Sequence, residues 1–387
     1  MKPAKRLSPW HVIMGVIATA VMMRIGIKVV ADRERNRPTA MVDWPAALQL
    51  AQRMLPEAHQ PPAHNYQSLV DAAGVDVGAF TGLHVPPHAL RVRVVDQHAW
   101  LTANVRSFAR LMAPLEPLWL AQHDHTDWGL ASRRMNGRVA GIQSGAMLSW
   151  MATRVLGQYD TALLHDDDAP NELLLVESNI ARIAAEQGVH VADLRQWIVI
   201  HEVSHVFQFE GIAWLRPHLR MLLDRFMRTL ADQLATPQDG FFDMVRRIAQ
   251  QPKAQSWVEW ALNPEQRTIF NEMQVLMSLI EGHSNYVMNQ IGAYRIPQFG
   301  VLQQRMEARQ QERPTLDAVI MRVTGMQMKM AQYRDGEAFV NALAAHGGDA
   351  LVRRLWQTPH HLPTVDELAN PATWIHRYVE SVDARAP

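Results

Sequence analysis

Leu194-Arg195-Gln196-Trp197-Ile198-Val199-Ile200-His201-Glu202-Val203-Ser204-His205-Val206-Phe207 is the stretch on which the reading of this chain turns. Its apolar residues run nearly all the way round a helix, the pattern of a buried helix. Set into that wall are two imidazoles four residues apart, which a helix stacks on one face. A carboxylate stands beside the first. Buried without partners, such groups are costly. A divalent cation gripped by His201 and His205 offsets that cost, and Glu202 then stands where it can draw a proton from water activated by the ion. The motif is short, and chance places one in roughly a few per cent of chains of this length and composition. The competing reading is a histidine-rich helix hydrogen-bonded into a polar core, and the rest of the chain has to decide.

Composition narrows the field. The chain has 387 residues, 48% hydrophobic and 20% charged, enough for one large domain or two smaller ones. Lys+Arg 38 balance Asp+Glu 38, so no global basic field recommends nucleic acid as a partner. Cysteine is absent, which excludes disulfides, thiolate zinc sites and cysteine nucleophiles. Any metal must sit on His, Asp or Glu, and 18 histidines are available.

The N-terminus reads separately. Lys2, Lys5 and Arg6 precede an apolar run from Trp10 to Met23, which Arg24 and Lys28 then interrupt. The run is short for a spanning helix, which needs ~20 apolar residues. Ala18-Thr19-Ala20 has the form of a signal cleavage site but lies inside the run rather than after it. The expectation is a helix docked on the body or lying at a membrane surface, with contact through residues 10–30. A membrane anchor and a cleaved signal are the alternatives. Asp32 to Pro38 forms a charged linker, so residues 1–40 are read as an apolar helix plus linker and 41–387 as the body. The expected location is the cytoplasm, with membrane association through that helix as an added option.

From Val42 the pattern is mainly helical with a small sheet, an α+β architecture. Helices are expected from Trp44 to about Leu55, from Trp100 to Leu115 and from Gly145 to Leu156. Leu90 to Val94 alternates like a half-buried strand and Leu173 to Val176 reads as a second. Asp193 is a candidate N-cap for the motif helix, which is expected to stop near Gly211.

A catalytic zinc keeps three protein ligands and an open position. The helix that starts at Asn263-Pro264-Glu265-Gln266 carries a strong start signal, with Asn as N-cap, Pro at the first turn and Gln three residues on. In its apolar middle stands Glu281-Gly282-His283. Glu281 follows Leu279-Ile280, where an unpaired carboxylate is costly. Gly282 is a poor helix residue and fits the close approach of another backbone, such as the metal-bearing helix. His283 is the rival ligand, about 200° round the helix from Glu281. Glu281 is favoured because Asn285, one turn on, shares its face and could accept the free N–H of a ligating histidine.

The chain around these residues resembles the zincin-like metallopeptidase type 2 family, a group named as zinc hydrolases, some of them labelled as associated with biosynthesis of a deazaflavin coenzyme. The resemblance rests on Val42-Asp43-Trp44, Phe80-Thr81-Gly82-Leu83, Val155-Leu156-Gly157-Gln158-Tyr159-Asp160, Val176-Glu177-Ser178-Asn179-Ile180 and the motif with Phe207-Gln208-Phe209. It continues through Trp214 to Leu219, Glu281-Gly282-His283, Lys329 to Tyr333 with Gly336 and Phe339, then Leu362-Pro363-Thr364 and Trp374. It implies a zincin fold in which the motif helix packs against a second helix carrying a glutamate, with zinc on His201, His205 and Glu281 and Glu202 as base. Where this chain has Asn285, the family often has an acid.

The mechanism implied is hydrolysis of a peptide or small amide, with Glu202 moving the proton and a further donor for the oxyanion. Tyr333, Tyr286, His283 and His218 are candidates, Tyr333 first because it lies in a matching block. Leu90 to Val94 is a candidate for pairing with an extended substrate, although a plain structural strand is the simpler reading. His165 to Asp168 reads as a solvated acidic loop, and His360-His361 as surface. The alternatives to a zinc hydrolase are a zincin-fold binding or assembly module without proteolysis, and a helical protein with a structural metal.

Overall fold

The structure, a computed structural model, describes residues 40–57, 64–86, 90–121, 127–160, 171–235, 262–311 and 326–380. Residues 1–39, which hold the apolar run and linker, lie outside the described residues, as do 161–170 with their acidic run. Among the described residues no helix is long and apolar enough to cross a membrane. The architecture is mainly helical around one small sheet: α1 (Trp44–Met54), α2 (Tyr66–Thr81), β1 (Leu90–Val95), α3 (Gln97–Met112), α4 (Glu116–Ala121), α5 (Asp127–Ala152), β2 (Gly157–Asp160), β3 (Asn171–Val176), α6 (Glu177–Gln187), α7 (Val191–Gly211), α8 (Leu215–Ala235), α9 (Pro264–Arg295), α10 (Phe299–Gln311), α11 (Met326–Leu355), α12 (Val365–Ala369) and α13 (Pro371–Ile375).

The strands lie in the order β1-β3-β2. β3 runs parallel to β1 and antiparallel to β2. As the central strand it is covered on both faces, which is why it is apolar without alternation. Leu173 and Leu175 pack with α2 and α7, while Leu174 and Val176 pack with α1, α3 and α5. β2 was hidden in the sequence, because Gly157-Gln158-Tyr159-Asp160 has neither alternation nor branched residues.

α7 bears its burial on all sides. Ile198, Val199, Ile200 and Val203 join one apolar cluster, and Val206 and Phe209 another that includes Leu276, Leu279 and Ile280 of α9. His190, not Asp193, precedes its first turn, and Asp193 sits within that turn as an acid favourable to the helix dipole. The buried Glu177 receives Arg195 and the Tyr66 hydroxyl, tying α7 to the end of β3 and to α2. α9 opens with the expected capping box of Asn263 and Gln266.

α9 and α11 cross at bare backbone. A Cβ on Gly336 would lie 1.9 Å from the Ser278 carbonyl oxygen, and one on Gly282 would lie 2.3 Å from the Gly336 carbonyl carbon. The close approach foreseen at Gly282 is therefore made to α11: the nearest atoms to its Cβ position all belong to Gly336 and Glu337. The α11 helix is interrupted at Gly347 and Gly348, the latter at φ 64°.

Candidate metal centre

One turn of α7 stacks His201 over His205, with Nε2 to Nε2 3.1 Å and the rings nearly perpendicular at 86°. From the middle of α9, Glu281 brings an Oε2 to 3.6 Å from His201 Nε2 and 3.8 Å from His205 Nε2. The ligand atoms of the three residues lie within 4.8 Å of one another, and His201 and Glu281 are only half-buried, so the group is open on one side.

The hydrogen bonds behind His205 fix its ring. Gln208 Nε2 donates to the Ile280 carbonyl (2.9 Å) and to His283 Nδ1 (3.0 Å). Its Oε1 must then face the other way, where it accepts from Ser284 Oγ (3.0 Å) and lies 3.0 Å from His205 Nδ1. His205 Nδ1 therefore carries the proton, and Nε2 offers its lone pair toward His201 and Glu281. Burial lowers the pKa of His205, outweighing the pull of Glu281, so the ring stays neutral. The same amide engages His283, the rival ligand on α9. His283 is buried, bonded to Gln208 through Nδ1 and set edge-on to Trp356, with its pKa pushed down to about 3 by burial. Its ring faces Gln208 and Trp356.

Glu202 is held by the sheet. Residues 156 and 176 form a hydrogen-bonded pair, so two residues on at 158 the bonds again point to β3, and the N–H of Tyr159 points outward. That N–H donates to Glu202 Oε2 at 3.0 Å. A Cβ on Gly157 would meet the end of the Glu202 side chain at 2.7–2.9 Å, so glycine lets the strand lie directly against it. Burial pushes the Glu202 carboxyl up to about 7. His205 and the Tyr159 amide oppose the shift, and Glu281 adds to it. The strand itself is pinned through Tyr159, whose hydroxyl donates to Glu210 Oε1 (2.5 Å). Arg216 closes onto that carboxylate and onto Asn171. Burial, with Glu210 next, raises the Tyr159 hydroxyl far out of reach of titration.

Other expected roles fall elsewhere. Asn285 donates to Glu337 Oε2 (3.2 Å) and the place behind His205 belongs to Gln208 and Ser284. Of the candidate oxyanion donors, Tyr286 donates to Asp349 (2.7 Å) and His218 packs against Trp214. Tyr333 lies on α11 in a stretch whose side chains are outside the described residues. The strand beside Glu202 is β2, not the Leu90 strand, which forms the far edge of the sheet. Gln208, Ser284, Gly157 and Glu337 were given no role at the site from the sequence. A signal did exist for Gln208: a buried amide three residues after a candidate ligand reaches the back of that ligand's ring.

The donor set fits a zinc ion. Zn–N and Zn–O distances of ~2.0–2.1 Å in a tetrahedron place ligand atoms roughly 3.3 Å apart. The observed separations of 3.1, 3.6 and 3.8 Å fall around that value.

Comparisons with known proteins bear on the family. The profile of the zincin-like metallopeptidase family matches residues 42–375. A crystal structure from Chloroflexus aurantiacus, described as “a putative hydrolase with a novel fold”, is 33% identical, with a TM-score of 0.63, over 89% of this chain and 100% of that one. No curated protein matches.

Proposed function

The chain belongs to the zincin-like metallopeptidase family, and we propose that it is a zinc-dependent hydrolase of peptide-like amide bonds. The observation that carries this is the convergence of His201, His205 and Glu281 from two helices onto one point, with Glu202 beside it and kept off it by the Tyr159 amide. The hydrolase description of the Chloroflexus aurantiacus relative points the same way. His201 Nε2, His205 Nε2 and a Glu281 oxygen would hold the ion. Zinc, when bound, supplies Lewis acidity toward the substrate carbonyl and toward water.

The protein's own part is proton traffic and orientation. Glu202 accepts a proton from the attacking water as the new O–C bond forms, then gives it to the nitrogen as the C–N bond breaks. In the metal-free protein burial raises the Glu202 carboxyl, and a bound cation beside it would draw it back toward the ionised form that takes the proton. The Tyr159 N–H occupies one Glu202 oxygen and leaves the other to work. Gln208 keeps the His205 proton on the side away from the reaction.

Metal analysis of the purified protein tests the reading. One zinc per chain is expected, lost in His205→Ala and in Glu281→Ala and kept in Glu202→Gln. Retention of full zinc by Glu281→Ala would overturn the ligand set. A protein that holds zinc in an open site but cleaves no peptide or amide would be the binding or assembly module instead.

A further inference from the structure

Glu337 on α11 has a chemistry that the proposed reaction leaves unused. Its carboxylate accepts from Asn285 Nδ2 at 3.2 Å on one oxygen and from Asn289 Nδ2 at 3.3 Å on the other. A carboxylate offers about four lone-pair positions, and two amide hydrogens fill half of them. Both asparagines turn their NH2 groups to Glu337, so the carboxylate keeps free lone pairs that a cation could take. Among the described residues no Lys or Arg pairs with Glu337, although it is half-buried. It lies within the electrostatic reach of His201.

Its distance from the candidate centre follows from the helix. Glu281, Asn285 and Asn289 succeed one another at four-residue steps along one side of α9, roughly 6 Å per step. Glu337, spanning the last two, stands roughly 6–12 Å along the axis from Glu281. An extended chain advances ~3.3–3.6 Å per residue, so that span is two or three residues. A stretched lysine side chain reaches its near end.

A guest that only donates suits a carboxylate with lone pairs to spare. We propose that Glu337 binds a primary ammonium of the substrate, either a lysine side chain next to the cleaved bond or a free amino terminus two or three residues before it. This deepens the hydrolase reading and rests on it for the word substrate. The state of the carboxyl agrees: burial raises it above the usual range and Glu307 adds to that, against the pull of Asn285, His201 and Asn289, so an ammonium would relieve an anion that is ill at ease.

Calorimetric binding to Glu202→Gln protein, with and without zinc, tests the proposal. The probe is an alanine hexapeptide with lysine at its third position, alongside forms acetylated at the amino terminus, at the lysine, or at both. The doubly acetylated form is expected to bind tenfold or more weakly, the scale of one charged hydrogen bond. The singly acetylated forms tell which ammonium is read. In a protein that also carries Glu337→Gln, all forms should bind alike. Equal affinity for all forms, no binding of any, or a preference that survives Glu337→Gln would overturn the proposal. Failure to bind zinc would strike the hydrolase reading alone, because the ammonium preference is read in both conditions.

Discussion

Two close approaches frame the candidate centre, and both depend on glycine. At Gly157 an edge strand lies against a side chain, the carboxyl of Glu202. At Gly282 and Gly336 one helix backbone lies against another. A side chain can swing aside at modest cost, but a helix backbone can yield only by moving the whole element and everything packed on it. The strand contact therefore tunes chemistry and the helix contact holds the fold. Glu281 depends on the second, since it sits one residue from Gly282.

The largest effect should fall on the first approach. Glu202→Gln keeps the shape and the Tyr159 contact but cannot take a proton, so turnover on any substrate found should fall by about 10²–10⁴. Unchanged turnover would remove the base from the mechanism. Gly336→Ala tests the second approach. Overpacking of this kind costs about 3 kcal/mol, and its Cβ clash with Ser278 is more severe than most, so denaturant unfolding should show at least that loss. A fully stable alanine variant would mean that the helices have room.

His283 sharpens the helix side. Its folded ring stays unprotonated down to about 3, whereas an unfolded one takes a proton near 6.5. The unfolded state thus binds more protons in between. The ring's contribution is whole above pH ~6.5 and drains away as pH falls toward about 3, at up to ~1.4 kcal/mol per unit. His283→Asn keeps an acceptor for Gln208 and should flatten that slope in urea unfolding of metal-free protein; an identical slope would contradict the burial argument. Smallest is Gly157→Ala, expected to lower turnover by about tenfold while changing stability by about 1 kcal/mol or less. If it unfolded the protein as Gly336→Ala does, the contrast between the two approaches would be lost.

The helix carrying both histidines was legible because apolar residues on every side leave nowhere for polar ones to hide without a purpose. Glu281 was picked out because it stands in the apolar middle of a helix whose start is plain and shares a face with Asn285; the structure sets it beside the histidines, although Asn285 turns to Glu337 instead. Contacts across the fold were not. Asn285 had the right face for a histidine, but which helix it would meet depends on α11, whose approach needs Gly336, far away in sequence, as well as Gly282. β2 escaped because its role is carried by an outward N–H and a missing side chain, and neither has a hydropathy signature. Glu337 escaped for a similar reason: it becomes distinctive only when two asparagines from another helix turn toward it.

Gln208 uses both amide hydrogens and shares its oxygen between two neighbours, so a single side chain dictates the tautomers of two imidazoles at once. Those rings are consequently locked in opposite senses, one protonated at Nδ1 and the other at Nε2. In protein grown with ¹⁵N-histidine, the two nitrogen spectra should move as a pair: any event that rotates this amide must exchange both signatures together, giving an internal gauge of the centre's order that requires no substrate.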